Sequence, residues 1–218
     1  MKPRPLTLWI LANAVGLGVA FVAMLQIGMF MKYGLDFEKH WQSVPSPPPP
    51  AWYVGMVAIY LAVGGAIFGG AQALVLRSRP VRLGSWILST AVGFCLLIVV
   101  IAPLTALGIW GRIPGPVEPY SLTVGGGSLA GILQYLSLRR QGVVAAKWLA
   151  LWVVGLAAGL VPVTLLFLIL ERTGVGLPWP LGVFVTGFVV AGVAALFSGR
   201  ALFRAVDRVG TSTGEVSS

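Results

Sequence analysis

The chain has 218 residues, 57% of them apolar and only 10% charged: enough for one compact domain, but too little charge to coat a soluble one. The formal net charge of +9 comes from 15 Lys and Arg against six acids. These cations fall in short runs between long apolar stretches rather than on one folded face. That pattern excludes a nucleic-acid partner and fits charge flanking a membrane.

A hydrocarbon core about 30 Å thick needs about 20 apolar residues in a helix. Stretches at 6–31, 52–76, 84–109, 120–138, 148–170 and 180–199 approach or exceed that length, and none has a charged residue in its central part. None shows the alternation of a β-barrel strand. The sequence predicts an all-α membrane protein: one six-helix transmembrane domain over residues 1–209, then a small polar tail at 210–218 expected to be disordered. The first stretch follows Lys2 and Arg4 as a signal peptide would, but its apolar part exceeds the 7–15 residues of a signal core. It is kept as a helix.

The connecting segments orient the bundle. Lys2, Arg4, Arg77, Arg79, Arg82, Arg139, Arg140, Lys147, Arg200, Arg204 and Arg208 fall on one side, eleven in all. Only four, Lys32, Lys39, Arg112 and Arg172, fall on the other. The positive-inside rule then predicts cytoplasmic N- and C-termini in the inner (plasma) membrane. The outer connections are proline-rich, and the four prolines at 47–50 form a stiff polyproline II segment, either a cap over a hairpin or a ligand for a proline-reading domain. Trp41, Trp52, Tyr53, Trp110, Tyr120 and Trp179 mark the outer boundary, and Trp9, Trp86 and Trp148 the inner one.

The chain also repeats itself. At an offset of 62, Gly64, Gly65, Gly69, Gln72, Leu74, Leu76, Arg77, Trp86 and Gly93 fall on Gly126, Gly127, Gly131, Gln134, Leu136, Leu138, Arg139, Trp148 and Gly155. The segment from Trp9 to Gly16 matches that from Trp86 to Gly93, and Gly187, Gly192 and Arg200 keep a worn copy at an offset of 61. The unit is a helical hairpin used three times, at about 6–76, 84–138 and 148–199. It begins and ends in the cytoplasm, so the hairpins are parallel about a pseudo-threefold axis. Gly65 and Gly69, like Gly127 and Gly131, lie four apart on one helical face, where small residues let helices approach in lipid. Gly131→Leu should therefore destabilise far more than Gly131→Ala.

Gln72 and Gln134 must find partners in hydrocarbon. Either they tie hairpins together, each contributing about 0.6 kcal/mol, or they line a pocket near the inner leaflet. As separate ties, their substitutions should add. Arg77 and Arg139 end their helices at the inner surface and suit anchoring to lipid headgroups. The tandem Gly-x3-Gly-x2-Gln-x3-Leu-Arg and Trp-x6-Gly units resemble a group of small, uncharacterised bacterial multi-pass membrane proteins. The resemblance covers about 52–159 and 9–16 and implies no particular activity. Tandem two-helix repeats also suggest mitochondrial-type carriers, but the segments following Pro103 and Pro162 lack the Pro-x-Asp/Glu-x-x-Lys/Arg signature.

Little reactive chemistry is present. His40 is the only histidine, Cys95 the only cysteine, and the intramembrane Ser and Thr have no base near them in sequence. Gly125, Gly126 and Gly127 lack the Lys-Ser/Thr of a phosphate loop. The expected protein is non-enzymatic and without cofactor or metal: an accessory or scaffold subunit of a larger assembly, with membrane lipids and other membrane subunits as partners. The alternative is a passive or partner-driven transporter of a small solute or lipid, or a substrate-capturing membrane component. Gly64, Gly65, Gly125 to Gly127 and Pro162 would then loosen helices around a midplane cavity.

Overall fold

The computed structural model of the protein describes residues 5–34, 51–100, 103 and 117–212. The prolines at 45 and 47–50, His40, Trp41, Trp110, Lys2, Arg4 and the residues from 213 on lie outside it. The described residues form helices and short turns: α1 Pro5–Gly34, α2 Ala51–Leu76, α3 Leu83–Leu96, α4 Val117–Arg140, α5 Ala146–Thr173 and α6 Trp179–Ser212.

Five segments, one on each helix but α4, are long and apolar enough to cross a membrane, that on α3 running on from Leu83 to Val100, which is one fewer than the six expected. At 24 residues α4 is long enough. Its apolar content is diluted by Gly125, Gly126, Gly127, Ser128, Gln134 and Ser137. The outer surface supports a membrane-embedded, multi-pass protein. Ile59, Leu74, Leu88, Val99 and Val161 are each at least 60% exposed, while Asn13, Gln72, Thr90 and Gln134 are at most 1% exposed. Apolar outside and polar inside is the arrangement that lipid, not water, stabilises.

Each helix packs on its neighbours in chain order, and α6 returns against α1, so the bundle closes into a ring. The turns between helices follow from local chemistry. After α4, Gly142 takes a positive φ of 80°, the Gly142 N–H bonds the Arg139 carbonyl at 3.0 Å and the Val143 N–H bonds the Leu138 carbonyl at 3.0 Å. That is a Schellman closure, with Leu138 and Val143 both fully buried beneath it. Gly174, at φ 69°, ends α5 in the same way, with the Val175 N–H on the Leu170 carbonyl at 3.1 Å.

At its C-terminal end α6 runs past Gly199 to Ser212, so residues 210–212, expected in a disordered tail, are helical. This extension buries Leu202, Phe203 and Val206 and leaves Arg200, Arg204 and Arg208 exposed. Arg79, from the turn after α2, pairs with Asp207 and lies 4.7 Å from the Phe203 ring centroid. Asp207 is 57% exposed, so the ion pair is screened. Asp207→Asn should therefore cost less than about 1 kcal/mol in a detergent unfolding experiment. The buried apolar side chains, not the charge, hold the extension.

Candidate functional site

Among the buried polar side chains, Asn13, Gln72, Thr90 and Gln134 converge on one network. Gln72 of α2 donates from Nε2 to Asn13 Oδ1 of α1 at 2.7 Å, and its Oε1 accepts from Trp86 Nε1 of α3 at 2.9 Å. Gln134 of α4 donates from Nε2 to the same Gln72 Oε1 at 2.8 Å and to Thr90 Oγ1 at 2.7 Å. Asn13 and Thr90 in turn donate to the carbonyls of Trp9 and Trp86, four residues earlier, at 2.8 and 2.9 Å. Four helices are thereby joined through side chains that are all at most 1% exposed.

Both glutamines singled out in the sequence are brought together, but not as separate ties. They share a hydrogen bond, so their substitutions cannot be expected to add. Asn13, Thr90 and Trp86 were missed as partners. A signal existed: Asn13 and Thr90 occupy the same place in the two matching segments, four residues after Trp9 and Trp86, on one face of each helix.

The three tryptophans assigned to the inner boundary need correction. Trp9, Trp86 and Trp148 are 0%, 0% and 1% exposed, so none can anchor in headgroups. They turn inward from α1, α3 and α5 and pack on one another, Trp9 to Trp86 at 6.2 Å and Trp86 to Trp148 at 5.7 Å between ring centroids. Trp152 extends the cluster by stacking on Trp148 at 6.4 Å and on Phe68 at 6.2 Å, and Phe203 meets Trp9 at 5.9 Å. Trp86 spends its indole N–H on Gln72 and Trp152 donates to the Gly127 carbonyl at 2.9 Å. The N–H groups of Trp9 and Trp148 are buried without a partner.

Trp152 also explains why the polar network spans only part of the ring. Counted from Trp148, it stands where Asn13 and Thr90 stand after their tryptophans, and α6 offers Ala195 and Leu196 in place of a glutamine. An aromatic stack replaces the amide pair there.

The glycines serve close packing, though not uniformly. A Cβ on Gly65 would fall 2.8 Å from Ala91 Cα, and one on Gly69 would fall 2.8 Å from Thr90 Oγ1, so α2 and α3 meet closely. Gly127 and Gly131 instead face side chains of α5: Leu156 Cδ1 at 2.9 Å and Trp152 Cδ1 at 2.7 Å. At Gly131 even alanine must displace an indole ring that is itself hydrogen-bonded, so it is not the mild change expected from sequence. The tightest approaches to backbone are at Gly93 and Gly155, the last glycines of two Trp-x6-Gly segments. There a Cβ on Gly93 would fall 2.5 Å from Ala130 N, and one on Gly155 would fall 2.6 Å from Ala194 Cα.

Arg77 and Arg139 are exposed at the ends of α2 and α4, next to the turn segments 77–82 and 141–145. These turns are bound to each other by the Arg82 N–H, which donates to Gln141 Oε1 at 2.8 Å, and beside them the Ser85 hydroxyl of α3 meets that of Ser137 of α4 at 2.6 Å. Among the described residues no three His, Cys, Asp or Glu side chains gather into a metal site. No family model, curated protein or solved structure matches the chain.

Proposed function

We propose that the chain is a six-span, non-enzymatic inner-membrane protein with both termini cytoplasmic, working as an accessory or scaffold subunit of a larger membrane assembly. Its three hairpins would be parallel repeats about a pseudo-threefold axis. In this reading α4 crosses the membrane as well, because its polar Gln134 and Ser137 are buried and need not meet lipid. Arg77 and Arg139 would hold the basic end against anionic headgroups.

The observation that carries the scaffold reading is the closed network of Asn13, Gln72, Thr90, Trp86 and Gln134. A solute path needs polar groups left free to meet a solute, and these amides are bonded to one another. The transporter alternative also draws on loosened helices, yet α2, α4 and α5 run without interruption through Gly64 and Gly65, Gly125 to Gly127, and Pro162.

The test is purification from native membranes in mild detergent. A stoichiometric protein partner supports the scaffold reading; a stoichiometric lipid or metabolite with no protein partner favours the transporter. Topology is tested separately, with single cysteines in a Cys95→Ser background and a membrane-impermeant thiol reagent. Cysteines at positions 79 and 140 should react only after the cells are opened, and those at 118 and 179 should react in intact cells. Labelling of position 140 from outside would overturn the orientation.

A further inference from the structure

The unpartnered Trp148 N–H has a counterpart that is satisfied. Trp86 donates to Gln72, 14 residues earlier in the chain. Trp148 stands in the same relation to Gln134, at the same offset of 62, yet it makes no such bond. The two residues belong to neighbouring helices, α4 and α5, that pack on each other. A Cβ on Gly131 would fall 3.3 Å from Leu149 Cδ1, which puts Gln134, one turn further along α4, level with the start of α5. Gln134 is instead drawn to the other side, toward Gln72 and Thr90.

We propose that Gln134 is a two-position switch, tying α4 to α2 and α3 in this structure and to α5, through Trp148, in a second state. The inference does not depend on whether the protein is a scaffold or a transporter. The exchange leaves neither of the present partners stranded. When Gln134 departs, Gln72 Oε1 keeps the Trp86 donor and Thr90 Oγ1 keeps its bond to the Trp86 carbonyl. In return the buried Trp148 N–H gains an acceptor in Gln134 Oε1, while the Gln134 Nε2 hydrogens give up both of theirs, so the second state is the minor one until those acceptors are removed. The side chain needs only rotamer changes, the last about a broad, soft torsion.

The seam between α4 and α5 is also built to adjust. At the α2–α3, α3–α4 and α5–α6 contacts, glycines abut backbone atoms of Ala91, Ala130 and Ala194. At α4–α5 the glycines abut the side chains of Leu156, Trp152 and Leu149, which can shift by rotamer changes. The switch thus sets which neighbour holds α4.

The experiment reads the indole N–H resonance of Trp148 by NMR in the full chain, 15N-labelled at tryptophan and assigned by its loss in Trp148→Phe. Thr90→Val removes one of the two groups holding Gln134 with little change of shape, and Gln72→Leu removes the other. Each should move the Trp148 signal downfield as its N–H becomes hydrogen-bonded, and adding Gln134→Leu should abolish that movement. A signal unmoved in Thr90→Val and Gln72→Leu would overturn the proposal. So would a hydrogen-bonded signal that persists in Gln134→Leu, since the acceptor would then be a bound water.

Discussion

Gly93→Ala should lose at least about 3 kcal/mol of stability, the upper part of the range for overpacking a close interface, whereas Gly70→Ala should lose nothing. At Gly93 the added methyl falls 2.5 Å from the Ala130 nitrogen, and backbone cannot turn aside as a flexible side chain can. The only relief is to separate α3 from α4, which would stretch the bonds from Gln134 to Thr90 and Gln72. Gly70 has nothing within 4 Å of its Cβ position, so alanine there meets open space and improves helix propensity by up to about 1 kcal/mol. Thermal unfolding of the two variants in the same detergent measures the contrast. Equal melting temperatures would mean that α3 and α4 do not cross at Gly93.

Gln72→Leu should be the most costly single change among the polar side chains, and its combination with Gln134→Leu should cost less than the two added. Removing Gln72 strands Asn13 Oδ1, Trp86 Nε1 and one Nε2 hydrogen of Gln134. Buried groups left without partners cost about 1–3 kcal/mol each. Local relaxation recovers part of that, so a net loss of about 3 kcal/mol is expected for Gln72→Leu. Gln134→Leu leaves Gln72 Oε1 bonded to Trp86 and Thr90 Oγ1 bonded to a carbonyl, so it should lose only about 1 kcal/mol. In the double variant the Gln72 substitution no longer strands Gln134, giving a coupling of about 1 kcal/mol. Additive losses in a denaturation cycle would show that the shared hydrogen bond does not form in the membrane protein.

The helices were legible because lipid leaves a spanning chain few options, and length with absence of charge suffices to read them. Direction around each helix was not legible. A span with lipid on one side and neighbouring helices on the other is apolar all round, so it has no stripe that tells in from out. Hence Trp9, Trp86 and Trp148 read equally well as anchors at a boundary or as a core, and only packing decides for the core. The glutamines stood out because they repeat as the same residue. Asn13, Thr90 and Trp152 share one place in their segments but differ in kind, and an identity match passes over them. In α4, the glycines and polar residues that made the repeat visible are also the ones that lower its apolar content.

The closing of the ring by α6 against α1 has a consequence for biogenesis. α1 is made before α6 and meets that neighbour only after α2 to α5 have been made. Until then the α1 surface around Leu17, which Gly187 of α6 eventually covers, has only lipid or another protein to rest against. Nascent chains stalled before α6 should therefore be the form that insertion chaperones hold and membrane proteases remove, with release coinciding with the arrival of α6.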